Sequence, residues 1–203
     1  MALSDWFRTR LLDLVMRQMN ELRPDTVGLA EGRVLELGFG TGLNLDFYGP
    51  GVKSVVGVDP KAAEGFGPTE ARVAAAAFPV ERALVRADQP LSYAEAEFDS
   101  AVSTWTLCSI PEPVEALVEV RRLLKPGGRF VFLEHGRAEA PGTARWQERL
   151  NPYWRRLADG CNINRRIDRL VEDGGLRLES LDRFRAAGPG VFAQMYRGVA
   201  VKP

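Results

Sequence analysis

Cysteine and histidine are scarce in this chain, which holds two cysteines, Cys108 and Cys161, and a single histidine, His135. The cysteines stand far apart and form no C-x-x-C pair, so their spacing suggests neither a disulfide framework nor a zinc site. No metal is expected, and a reducing cytoplasm is the expected compartment. Net charge is also missing. Lys plus Arg number 27 and Asp plus Glu number 27, which removes the basic excess that draws proteins to phosphates, so nucleic acid is not the expected partner. No run approaches the roughly 18 apolar residues of a membrane span, and the first residues lack the basic, apolar and small-residue succession of a signal peptide. No integral membrane segment is expected. Repeats, low-complexity tracts and linkers are absent too, so residues 1–203 read as one domain with a sizeable core.

What the chain does have is alternation. Leu3, Phe7, Leu11, Leu14, Val15, Met19 and Leu22 recur at helical spacing with Arg8, Arg10, Asp13 and Arg17 between them. This predicts an amphipathic helix from about Ser4 to Leu22 that packs its apolar face on the domain; weak contact with a membrane surface is the other use of such a helix. Short β-branched runs then alternate with helical patterns: Arg33 to Leu37, Ser54 to Val58, Arg82 to Ala87, Ser100 to Ser103 and Arg129 to Glu134 are the candidate strands. That order predicts an α/β domain with a parallel sheet. A helix is expected from Pro111 to Leu124, stopped by Lys125-Pro126-Gly127-Gly128. Beyond Thr143 two short helices are expected, divided at Asn151-Pro152, within a helical cover over residues 140–175. Leu176 to Phe184 and Gln194 to Val201 alternate like two antiparallel strands.

The first strand runs into Glu36-Leu37-Gly38-Phe39-Gly40-Thr41-Gly42. In an open parallel sheet the first strand-to-helix turn is where ligands sit, and glycines there let the backbone turn sharply and a ligand approach without a Cβ in the way. The next strand ends at Asp59, followed by Pro60, and a carboxylate at that tip is suited to ribose hydroxyls. Both nicotinamide and S-adenosylmethionine (SAM) proteins use such an acid. The glycine spacing is G-x-G-x-G with Leu43 in place of the third glycine of the dinucleotide fingerprint, and SAM has no pyrophosphate to hold. Asp88 closes the third strand, where it is a candidate for the adenine amino group, and Thr104 follows the fourth, at the methionine end.

These residues resemble the class I SAM-dependent methyltransferases of the ubiquinone-biosynthesis-like type. The resemblance rests on Val34 to Gly42, Val56-Gly57-Val58-Asp59, Ala87-Asp88, Phe98-Asp99 and Arg122 to Phe130. It implies a Rossmann-like, seven-stranded, mostly parallel sheet with an antiparallel last strand and helices on both faces. It also implies that Glu36, Gly38 and Gly40 border the methionine end of SAM, that Asp59 binds the ribose, that Asp88 lies near the adenine, and that S-adenosylhomocysteine is the product. Phe47 to Gly51, Thr106-Leu107-Cys108-Ser109, Phe132-Leu133-Glu134-His135, Asp159-Gly160-Cys161-Asn162 and Gly198 to Lys202 are similar to thiol S-methyltransferases of animal membranes and their bacterial relatives. Where those enzymes carry an apolar N-terminal anchor, this chain has the charged amphipathic helix.

Methyl transfer from a sulfonium requires alignment and exclusion of water, and no metal. A base helps when the acceptor is mostly protonated at neutral pH, as a thiol of pKa about 8.5 or a phenol near 10 is. His135, following the fifth strand at the ligand-binding edge, is the catalytic candidate; capping or bonding backbone is its structural alternative. Trp105, Trp146, Tyr153, Trp154, Phe192 and Tyr196 suggest an apolar pocket for a small hydrophobic acceptor, with core packing as the plainer role for each. Sulfur is the first expectation for the accepting atom, and aromatic oxygen or carbon the second. A non-catalytic SAM-binding module and a nucleotide-dependent oxidoreductase are the competing readings. The abundance of Ala and Arg suggests a bacterial source, and nothing in the sequence sets the oligomeric state.

Overall fold

The computed structural model describes residues 3–60, 65–85 and 91–203. Seven strands form one sheet: β1 (Gly32–Leu37), β2 (Val52–Asp59), β3 (Val80–Leu84), β4 (Phe98–Thr104), β5 (Leu124–His135), β6 (Arg177–Arg185) and β7 (Gln194–Val201). Their order is β3-β2-β1-β4-β5-β7-β6. β7 runs antiparallel to both its neighbours, and the other pairings are parallel. The order reverses between β1 and β4, which opens a crevice at the carboxyl ends of those strands.

The central strands are apolar on both faces because helices cover both. Leu35, Leu37, Val56, Val58, Ala101, Phe130 and Phe132 point to one side, where they pack with Leu117, Val120 and Leu123 of α4 (Pro113–Leu123) and with Ile167 and Val171 of α6 (Ile167–Asp173). The intervening Val34, Val55, Val102 and Val131 face the opposite layer, where they meet Val27 of the short α2 (Pro24–Val27) and Val73 of α3 (Gly67–Ala75). A side chain reversed in register would exchange these layers, so the alternation itself fixes the sheet.

Four expectations need correction. The N-terminal helix α1 (Leu3–Arg17) ends five residues early, and a 3₁₀ turn at Asn20–Leu22 follows. Its orientation is also the reverse of the expected one: Asp13 is buried, whereas Phe7, Leu11, Leu12, Leu14 and Val15 are exposed. Asp13 turns inward because Thr41 and Arg72 hold it, and Trp6 meets Phe66 edge-on. Beyond the glycine loop the chain forms a 3₁₀ segment, Leu43–Phe47, in place of a full helix. The helix before residues 125–128 does stop there, at Leu123, and those residues lie inside β5 at a break in register with β4. The two helices expected after Thr143 are one, α5 (Pro141–Leu157), with Pro152 inside it. Asn151 does not cap a helix there; its amide joins Asn162 Oδ1 and the Ile163 N–H instead.

Candidate active site

The glycine loop lies at the crevice. Gly38 and Phe39 donate their N–H groups to Val58 O at 2.8 and 3.3 Å, which ties the loop to the end of β2. Gly38 has φ +70°, and a Cβ there would lie 2.0 Å from Thr106 Oγ1, so this glycine is required by packing. Gly40, with φ +53°, differs: among the described residues a Cβ would meet only Gly38 O, at 3.8 Å. Open space over a left-handed glycine is a cradle for a ligand. The Gly40 N–H donates to Asp59 Oδ2 at 2.9 Å, so Asp59 fastens the loop from the adjacent strand tip. Pro60 follows it and is exposed. Asp88 lies outside the described residues.

Beneath the loop a buried polar network holds Glu36 at the end of β1. Asn44 Nδ2 and the Tyr48 hydroxyl donate to its two oxygens at 2.9 and 2.8 Å. Burial pushes the Glu36 carboxyl up to about 7, although these hydrogen bonds and the charge of Arg23 favour its ionised form. Arg23 donates to Asn44 Oδ1 and reaches Thr104 Oγ1 at 3.4 Å. Its own pKa falls to about 10, chiefly because it is buried. The Thr104 hydroxyl is also 3.0 Å from Asn44 Nδ2, so Thr104 is engaged inward. Over this network the Arg23 guanidinium stacks at 4.8 Å on Trp105, whose indole Nε1 is buried with no hydrogen-bond partner among the described residues. A buried cation and an unpaired donor at one place suit an anionic group such as a carboxylate.

On the other side of the loop, Thr41 Oγ1 donates to Asp13 Oδ1 at 2.7 Å, and Arg72 donates to both Asp13 and Thr41 O. Helix α1 thereby closes over the glycine loop.

The second half of the site follows β4 and β5. Glu134, fully buried, accepts from Ser103 Oγ and from the N–H groups of Thr106, Leu107 and Cys108. One carboxylate thus shapes the whole turn after β4, in which Trp105 takes φ +51°. His135, partly exposed at the end of β5, has Nδ1 3.6 Å from Cys161 Sγ, and Cys161 Sγ lies 3.5 Å from Cys108 Sγ. Asn162 donates its N–H and Nδ2 to Cys108 O, locking the segment after α5 to the turn after β4. Of the two thiols Cys161 ionises first, its pKa lowered by the hydrogen bond it shares with Cys108 and by His135, although burial opposes this. Cys108 is pushed up by the same hydrogen bond and by burial.

The aromatic residues divide. Trp154 and Phe192 stack at 4.3 Å and pack with the two cysteines and Ile163, giving this corner an apolar wall. Trp146 and Tyr153 are exposed on α5, and Tyr196 sits in the main core with its hydroxyl on Arg137 O. Sequence reading did not find Arg23, Asn44, Tyr48, Asp13, Arg72 or Glu134. Arg23, Asp13, Arg72 and Glu134 act through partners more than 20 residues away, and Asn44 and Tyr48 reach back 8 and 12 residues to Glu36, so no motif spacing marks them.

Residues 35–132 match the family described as a methyltransferase domain. The thiol S-methyltransferase TMT1B of Rattus norvegicus is 36% identical over 144 residues, which cover 70% of this chain and 59% of that protein. The chain spans about three fifths of the length of the curated relatives it matches. Among solved structures, a putative methyltransferase from Bacillus halodurans is 17% identical with a TM-score of 0.69, over 86% of this chain and 94% of that one. A geranyl diphosphate methyltransferase solved in complex with SAM has a TM-score of 0.65 at 17% identity, over 92% of this chain and 85% of that one. These likenesses show the fold.

Proposed function

We propose, from the premise that this chain belongs to the class I SAM-dependent methyltransferases, that it transfers the methyl group of SAM to the sulfur of a small, hydrophobic thiol. The observation that carries the choice of sulfur is the meeting point of three segments. Thr106 to Ser109, Phe132 to His135 and Asp159 to Asn162 are where the chain resembles thiol S-methyltransferases, and they converge on His135 and Cys161, whose Nδ1 and Sγ lie 3.6 Å apart.

The residues fit the cofactor. SAM supplies an electrophilic methyl group on a sulfonium. Among the described residues, open space over Gly40 admits it to the loop, and Arg23 and the buried Trp105 Nε1, which has no hydrogen-bond partner among them, suit its carboxylate. Glu36, Gly38 and Gly40 border its methionine end, and Asp59 and Pro60 meet the ribose. Thr104 contributes by holding Asn44 and Arg23 in place. The acceptor's proton must leave as its sulfur attacks, and His135, on the reacting side, serves that deprotonation. Trp154, Phe192 and the segment after α5 exclude water from this corner, where alignment supplies most of the rate.

No helix among the described residues is long and apolar enough to cross a membrane. The exposed apolar face of α1, flanked by Arg8, Arg10 and Arg17, is suited to shallow contact with an anionic lipid surface.

Transfer of label from methyl-labelled SAM to a panel of thiols, phenols, amines and quinone precursors tests the reading. Product on a hydrophobic thiol is expected. Product on a phenol oxygen or a quinone carbon alone would replace the acceptor, and tight SAM binding with no product on any acceptor would make the chain a binding module.

A further inference from the structure

We infer that Cys108, His135 and Cys161 form a binding site for one thiophilic divalent cation, zinc foremost, with its fourth coordination position left to the acceptor sulfur. Only the occupant of that fourth position rests on the thiol reading above. The ion site stands on its own geometry.

The three ligand atoms come from three separate parts of the chain and lie within 4.8 Å of one another. Tetrahedral zinc, with Zn–S of about 2.3 Å and Zn–N of about 2.0–2.1 Å, sets its ligand atoms about 3.5–3.8 Å apart. Cys161 Sγ stands 3.5 Å from Cys108 Sγ and 3.6 Å from His135 Nδ1, which are two edges of that tetrahedron. Sequence spacing hid the group because residues 108, 135 and 161 meet only through the sheet and the segment after α5.

The surroundings are those of a built site. Glu134 fixes the Cys108 backbone, β5 fixes His135 against Met195 of β7, and Asn162 binds Cys108 O while following Cys161 directly. Ligands held this way need little rearrangement to close on an ion. Trp154, packed against the cysteines, presents a buried indole N–H with no hydrogen-bond partner among the described residues, a donor suited to a bound thiolate. Three protein ligands and one open position are the pattern of catalytic zinc, whereas structural zinc is closed by four.

The ion would lower the proton affinity of the acceptor thiol as it lowers that of bound water. The acceptor's S–H proton leaves to solvent, a sulfur lone pair forms the new S–CH₃ bond, and the sulfonium C–S bond breaks with its electron pair returning to the cofactor sulfur. His135 serves the deprotonation as a ligand of the ion that holds the sulfur.

Metal-stripped protein, kept reduced with a phosphine so that no Cys108–Cys161 disulfide forms, is titrated with Co²⁺ alone. Thiolate-to-cobalt charge-transfer absorption saturating at one ion per chain is expected, with zinc displacing the cobalt. Cys108→Ser and Cys161→Ser should each weaken binding, the double variant should lose the band, and alanine replacements serve where serine does not fold, judged by near-UV circular dichroism. No band in the parent protein, or an undiminished band in the folded double variant, overturns the ion site. Cobalt binding without transfer to any thiol would keep the ion site and remove the thiol acceptor. Thiol methylation that survives chelation, with no cobalt band, would do the reverse.

Discussion

Asp13 on α1 and Arg72 on α3 form an ion pair, Nη1 to Oδ1 2.8 Å, with side chains only 5% and 9% exposed. Burial works against the charge of Asp13, yet hydrogen bonds from Arg72 and Thr41 hold its carboxyl below the usual range. Removing one partner leaves the other buried and uncompensated, at a cost of about 3–5 kcal/mol. Asp13→Ala is therefore expected to lose stability of that order in urea unfolding, and to bind SAM more weakly because Thr41 loses its acceptor in the glycine loop. The apolar pair Asp13→Leu with Arg72→Met should recover most of the stability. A single variant within about 1 kcal/mol of the parent would show that the pair does not hold α1 down.

Gly38 and Gly40 are both left-handed but should fail differently. At Gly38 a methyl group strikes the Thr106 side chain at 2.0 Å, so Gly38→Ala should unfold more easily. At Gly40 space is open among the described residues, and the cost is the backbone strain of about 1–2 kcal/mol. Gly40→Ala should stay folded and lose SAM affinity by about tenfold or more, since its methyl occupies the ligand's approach. Calorimetry with SAM beside thermal unfolding separates the two; equal SAM affinity in Gly40→Ala and the parent would remove the loop from the cofactor site.

Five apolar residues of α1 face solvent, Leu11 at 63% exposure among them. Removing that much apolar surface from water at a lipid interface contributes about 25 cal/mol per Å². Sedimentation with phosphatidylserine-containing vesicles should carry the protein down, less so in high salt, and Phe7→Ser with Leu11→Ser should leave it in the supernatant. Equal partition of the parent and the double variant would assign the face another use.

The same helix marks the limit of what the sequence discloses. Periodicity located α1, but it assigned the apolar stripe to the core, because a stripe carries no information about Asp13 having a partner 59 residues away in Arg72. The sheet was legible for the opposite reason: two-sided apolar strands and glycine-bounded turns are local patterns, and β1, β2, β4 and β5 follow them. Glu36, Gly40 and Asp59 were legible because one short loop and the next strand tip contain all three. The Cys108, His135 and Cys161 group was not, since coordination spacing is read along the chain while this one is assembled across it.

Glu36 makes the cofactor end sensitive to pH. Burial is the main cause of its raised pKa of about 7, with Asp59 adding to the rise and Tyr48, Asn44 and Arg23 pulling it down. An unfolded glutamate titrates near 4.3, so between about 4.3 and 7 the folded chain binds the proton that the unfolded chain releases. Its contribution to stability is thus fully present below that range and is lost as pH rises through about 7, with a slope of at most about 1.4 kcal/mol per pH unit. The ligand-free protein should lose stability over this window, and Glu36→Gln should flatten the curve relative to the parent. SAM binding should respond with the opposite sign. Its cationic amino group favours the ionised carboxylate, so affinity should rise with pH until Glu36 is charged, with proton release from the protein to the buffer detectable by calorimetry in buffers of different ionisation enthalpy. A Glu36→Gln variant whose SAM affinity keeps the parent's pH profile would place the titrating group elsewhere.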